Sequence, residues 1–204
     1  MVSLRRPTTE MVLAFLRAQA QRGFSYPEVG ATAGELPHGY VVDRTRVALG
    51  RGEDHFHRAR EALGRWDQFR LGWVDVWPPG TPIAKDQVVA IVARTLGLWW
   101  LSACQIVDVV DESGPIHRYG FAYGTLPDHA GSGEERFLVE WDRQTGEVWY
   151  EILAFSRPRW LVSRLGYGYM RHLQKRFGAE SAAAMVRAVG VEGPKPILNE
   201  ETTT

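Results

Sequence analysis

The chain has 204 residues, 45% of them hydrophobic and 24% charged, with 24 basic side chains against 24 acidic ones. That length suits one domain with a substantial core and is short for two. A zero net charge offers no electrostatic case for nucleic acid or an anionic membrane surface, both of which call for a concentrated cationic face.

The opening Arg5-Arg6-Pro7-Thr8-Thr9-Glu10 has no apolar stretch of the kind a secretion signal carries. No apolar run approaches the ~18 residues of an integral membrane segment. A cytoplasmic location is therefore expected. Thr8 or Thr9 can cap a helix running to about Gln21, with Met11, Leu13, Ala14, Phe15 and Leu16 as its apolar stripe and Gly23 as its stop. Phe24 to Thr32 is a loop by its proline and glycine. Tyr40–Leu49 alternates and is β-branched, which predicts a strand. Asp54 can cap a helix to about Trp66, with Phe56, Ala59, Ala62 and Leu63 on one face.

Further strands are predicted at Gly72–Trp77, Gln87–Thr95, Leu98–Asp111, Ile116–Tyr123, Glu134–Asp142 and Glu147–Phe155. Glu112-Ser113-Gly114-Pro115 and Asp142 to Gly146 supply hairpin turns. The lone cysteine, Cys104, lies within such a strand; it cannot form an internal disulfide and reads as a small buried hydrophobe. A long helix is expected from Pro158 to Gly190, with Leu161, Leu165, Tyr169, Leu173 and Phe177 recurring every four residues. Residues 1–22 thus form an N-terminal helix, 23–190 a single α+β domain, and 191–204 a disordered tail.

This order implies a curved antiparallel sheet of about six or seven strands with one face covered by a long C-terminal helix. It resembles the helix-grip, or START-like, layout of lipid-transfer domains and plant pollen allergens. A more specific likeness lies in Phe24-Ser25-Tyr26-Pro27-Glu28-Val29-Gly30-Ala31-Thr32, Gly72-Trp73-Val74 and Thr81-Pro82-Ile83. It continues through Tyr119 to Pro127, Gly133-Glu134-Glu135-Arg136-Phe137 and Phe155-Ser156-Arg157-Pro158. On these segments the chain resembles an uncharacterised family of bacterial and plant proteins, domain of unknown function nineteen-ninety. The resemblance implies no activity, cofactor or catalytic residue.

Eight tryptophans, eight phenylalanines and seven tyrosines give the strands unusual aromatic content. Such residues either pack a core or line a cavity for an apolar or planar molecule. The expected walls are Trp99, Tyr119, Tyr123, Phe137, Trp141 and Tyr150, with Arg94, Glu151 and Arg157 as polar anchors for a small apolar or amphipathic molecule. Alternation puts Glu135, Phe137, Val139 and Trp141 on the more apolar face, with Glu135 at its rim. Which face of Glu147–Phe155 turns inward depends on the hairpin register, which the sequence leaves open.

An inward Glu151 or Glu140 would be a buried carboxylate suited to acid/base work, with Tyr119 or His129 as helper. An outward one would pair with an arginine across the strands. The alternatives to a binding module are thus an enzyme on the same scaffold (a hydrolase, cyclase or isomerase) and an interaction protein using the basic face around Arg164, Arg171 and Lys175. That basic stripe otherwise reads as a solvated helix face. His55 and His57 flank Phe56 at a spacing that cannot make a two-ligand helical metal site, and His38, His117, His129 and His172 are scattered, so no metal is expected. No Gly-x-Ser-x-Gly and no phosphate loop occurs, and no cofactor is expected.

Overall fold

The structure, a computed structural model, describes residues 1–158, 166–190 and 197–203. Six strands follow one another in a meander: β3 (Val74–Trp77), β4 (Val88–Thr95), β5 (Leu98–Glu112), β6 (Ile116–Thr125), β7 (Gly131–Asp142) and β8 (Glu147–Pro158). Each pairs antiparallel with the next. The tightest link is Leu96-Gly97 between β4 and β5, where both residues take positive φ (52° and 75°), as a two-residue hairpin of matching twist requires.

β2 (Val41–Arg51), from earlier in the chain, adds to the free edge of β8, so the sheet continues β8-β2-β9. Two short terminal strands lie beyond the six or seven expected. β1 (Val2–Ser3) pairs with Trp99 and Trp100 of β5, and β9 (Ile197–Thr203) pairs with the outer edge of β2. Part of the segment expected as a disordered tail is therefore a strand. The unpaired N–H and C=O row of β2 is what a terminal segment can satisfy by adding alongside.

The sheet has two covered faces. α1 (Thr9–Ala20) is capped by Thr8, whose Oγ1 accepts from the Met11 N–H at 3.3 Å. Its Val12 and Leu16 pack on the outer face against Ala90, Val92, Leu101 and Ala103. On the inner face lie α2 (Glu53–Gly64) and α3 (Tyr167–Val189). Phe56, Ala59, Ala62 and Leu63 of α2 and Ala182, Met185, Val186 and Val189 of α3 form one core with the inward residues of β2 and β6 to β8. α3 lies close against the sheet at Gly178. A Cβ there would stand 2.7 Å from Thr45 Oγ1, so only glycine permits this approach without displacement. The long C-terminal helix held against an antiparallel sheet is the helix-grip arrangement expected from element order.

Two expectations for the last helix change. Pro158 does not begin it; it ends β8, opposite Gly131, and α3 starts at Tyr167. The ring that suits a first helical turn suits a strand terminus equally, since neither needs the N–H. Leu161, Arg164 and Leu165 lie outside the described residues. Arg171, expected on a solvated face, is buried at 7% exposure and donates from both terminal nitrogens to Asp43 of β2.

Candidate functional site

The inner face is filled unevenly. α2 and the C-terminal half of α3 pack one half densely, while the N-terminal half of α3 roofs a cavity of about 660 Å³ over the other. Strand alternation decides what lines it. β4 contributes Ile91 and Ala93, β5 Trp100 and Ser102, β8 Ile152 and Ala154, and β2 Asp43 and Thr45. From α3 come Tyr169, Leu173 and Phe177, one helical turn apart, together with Met170 and Gln174. Phe69, in the 3-10 turn Asp67–Phe69, lies 5.0 Å from the Phe177 ring and 5.5 Å from that of Phe137; this aromatic cluster divides the cavity from the core.

The walls are mostly apolar, with one ionisable pair on the sheet side. Glu135 of β7 and Tyr123 of β6 are directly opposite each other across the strands. The Tyr123 hydroxyl donates to Glu135 Oε2 at 2.6 Å. Glu135 Oε1 has no hydrogen-bond partner among the described residues. Burial pushes the Glu135 carboxyl up from 4.5 to about 7; the Tyr123 hydrogen bond opposes the rise and the Asp43 charge adds to it. Burial, and then the neighbouring Glu135, also holds the Tyr123 phenol well above its usual range.

A second polar group sits at one end. Asp43 takes both Arg171 nitrogens, Arg171 also donates to Gln174 Oε1 at 2.8 Å, and Gln174 Nε2 donates to Ser156 Oγ at 2.8 Å. Asp43, Gln174 and Ser156 face the cavity, while Arg171 stands behind them. Among the described residues no group of three His, Cys, Asp or Glu is placed to hold a metal ion. No helix among them is long and apolar enough to cross a membrane.

Of the residues singled out from sequence, Tyr123 and His129 line the cavity. Phe137 and Tyr150 point to the same inner face but are fully buried in the packed half, where the Tyr150 hydroxyl meets Ser181 Oγ at 3.0 Å. Tyr119 and Trp141 also lie inward, beneath α2; Arg60 covers the Tyr119 ring at 4.4 Å, and Trp141 packs on Phe56. Trp99 and Arg94 belong to the outer face, where Arg94 and Arg6 flank the indole. The tryptophan in the cavity wall is the next residue, Trp100.

Arg157 lies over the Tyr40 ring at 4.5 Å and borders a small recess beside the cavity. Glu151 and Glu140 are on the outer face. Glu151 pairs with Arg44 at 3.1 Å and Arg136 at 3.2 Å, and Glu140 with Arg118 at 2.9 Å and Arg46 at 3.2 Å. They are the cross-strand arginine partners that formed the other reading of these acids, and neither lines the cavity. The cavity carboxylate hydrogen-bonded to a tyrosine of the same wall is Glu135, which alternation placed on the inner face but at its rim.

Glu134, its neighbour, has a different job. On the outer face its two oxygens accept from the Tyr26 hydroxyl at 2.6 Å, the Gly30 N–H at 2.7 Å, the Thr32 N–H at 3.0 Å and the Thr32 hydroxyl. This buried carboxylate straps the Phe24–Thr32 loop to the sheet. Gly124 makes room for the strap, since a Cβ there would come within 2.2 Å of the Tyr26 hydroxyl. Three of the segments that carry the family likeness thus converge on one clamp behind the cavity wall: Phe24 to Thr32, Tyr119 to Pro127 and Gly133 to Phe137.

The chain is 35% identical to a UPF0548 protein of Dictyostelium discoideum over 93% of this chain and 96% of that one. It is 36% identical to a UPF0548 protein of Deinococcus radiodurans over 93% of this chain and 100% of that one. Among solved structures it is similar to the hypothetical protein jhp0584 of Helicobacter pylori, with a TM-score of 0.50 at 11% identity, covering 81% of this chain and 95% of that one. At that identity the likeness is one of fold. Residues 25–184 match the family described as Domain of unknown function (DUF1990), and the chain belongs to that family.

Proposed function

We propose that the protein binds a small apolar or amphipathic molecule in the cavity between the sheet and the N-terminal half of α3. The observation that carries this reading is the cavity itself. Its volume of about 660 Å³ falls within the ~300–1,000 Å³ typical of small-molecule sites. Native cores leave few voids larger than a water molecule. Space of this size, walled by Phe69, Trp100, Ile152, Leu173 and Phe177 and open to solvent on one side, offers an apolar molecule both room and a way in.

The alternative of catalysis on the same scaffold is supported by one group, Glu135. A carboxyl brought to about 7 and touching a tyrosine has the proton affinity of a general acid or base near neutral pH. Glu151 and Glu140, held by arginines outside the cavity, give that alternative no support. The test is mass spectrometry of gently purified protein under native and denaturing conditions, with the released small molecule identified. A defined species at one per chain supports binding, and its recovery chemically altered after incubation supports catalysis. A chain that carries nothing and takes up no member of a panel of neutral lipids, alcohols and amines contradicts both.

A further inference from the structure

Among the described residues the cavity lining carries three acids, Asp43, Glu134 and Glu135, one histidine and no lysine or arginine. Two of the three acids are already engaged: Asp43 by the Arg171 guanidinium, and Glu134 by the loop behind it. Glu135 differs. Its one hydrogen bond, from Tyr123, occupies Oε2 and leaves Oε1 free on a residue that lines the cavity. No cation among the described residues pairs with it. Glu135 is half-buried, so its free oxygen is left to solvent until a donor on the ligand takes that place, and a carboxylate in an apolar wall is stabilised most by a donor that brings positive charge.

We propose that Glu135 and Tyr123 form the head-group site of the cavity and select an apolar ligand carrying a hydrogen-bond donor, an ammonium or a hydroxyl, over a carboxylate of the same size. This rests on the reading of the cavity as a ligand site and adds the ligand's chemistry to it. A bound ammonium supplies the missing cation to Glu135, and a hydroxyl donates to Oε1. A carboxylate brings a second negative charge beside Glu135 and Asp43, and the free donors in the wall, the Trp100 indole N–H and the Ser102 hydroxyl, are neutral and carry no compensating charge. The titratable groups around Glu135 are Tyr123, Cys104, Tyr150, Asp43 with its Arg171, the adjoining Glu134, and His129 and Tyr169 at the cavity wall. Burial holds the Cys104 thiol, Tyr123 and Tyr150 neutral through pH 8 by raising each.

The test is displacement of the neutral fluorescent probe N-phenyl-1-naphthylamine by octylamine, 1-octanol and octanoate, which differ only in the head group. For the wild-type chain at pH 8, octylamine and octanol are expected to displace the probe at concentrations at least tenfold below octanoate. The preference for octylamine over octanol should grow between pH 6 and pH 8, as Glu135 ionises while the amine stays protonated. Glu135→Gln should weaken octylamine about tenfold, leave octanol within a fewfold, and abolish that pH trend.

Equal displacement by all three, or tightest binding of octanoate, overturns the head-group assignment while leaving the cavity reading standing. Absence of both probe binding and octyl-chain binding, with native mass spectrometry showing no adduct, overturns the cavity reading itself. Should Glu135→Gln fail to fold, the head-group ranking of the wild-type chain, together with persistence of its pH trend in His129→Gln, decides the assignment.

Discussion

Glu135→Gln has a second consequence, for stability, that needs no ligand. In the unfolded chain this carboxyl titrates near 4.5, and in the fold burial moves it up to about 7. Between these values the unfolded state has released the proton and the native state still holds it. Stability therefore falls as pH rises through this window and levels off above about 7. At ~1.4 kcal/mol for each tenfold displacement, the shift from 4.5 to about 7 corresponds to about 3 kcal/mol lost by the wild-type chain at pH 8 relative to pH 4.5.

Glutamine keeps the size and an acceptor for Tyr123 but cannot ionise. The difference in unfolding free energy, variant minus wild type, should climb by about 3 kcal/mol from pH 4.5 to 8. Urea denaturation at half-unit intervals measures it, with the variant as the internal reference for every other titrating group. Parallel pH profiles for the two proteins would refute the placement of Glu135 in a low-dielectric wall without a counter-ion.

Two further substitutions separate structural acids from the cavity. Glu134→Ala removes the acceptor of four hydrogen bonds and should cost about 3 kcal/mol or more. Limited proteolysis should then cut within Phe24–Thr32, which the wild-type chain protects. Glu151→Gln breaks pairs to Arg44 and Arg136 and should lower stability by about 2 kcal/mol. Probe affinity in this variant should stay within a factor of two of wild type, because the side chain points away from the cavity; a large loss of affinity at unchanged stability would return Glu151 to the site.

Much of the architecture is legible in the sequence because period and punctuation agree. The hairpin turns, the Thr8 cap and the Phe56-Ala59-Ala62-Leu63 face all mark elements found in the structure. What alternation does not supply is the absolute face. In Leu98-Trp99-Trp100-Leu101 it says that the two indoles point oppositely, and only pairing with β4 decides that Trp100 turns inward. The same ambiguity attached to Glu151, whose face follows from its register against Leu138 and Arg46.

Glu135 was legible as inward but not as a cavity residue. How far a strand is covered depends on where α2 and α3 end on the sheet, which is a matter of tertiary packing. Phe137 and Tyr123 share its face, yet one is core and the other wall, for that reason. The β9 strand is beyond local reading as well, since its partner β2 lies about 150 residues earlier.

If the space under α3 is a ligand site, a large side chain built into it must compete with the ligand. Ala154 lies on the cavity wall, opposite Glu135 in the register. Ala154→Trp should project an indole into the space beside Glu135 while leaving the clamp and the packed half of the inner face untouched. In a fluorescence titration, N-phenyl-1-naphthylamine should bind saturably at one site per wild-type chain and at least tenfold more weakly to a folded Ala154→Trp variant. Equal affinity for the two proteins, or no saturable binding to the wild type, would contradict a ligand site under α3.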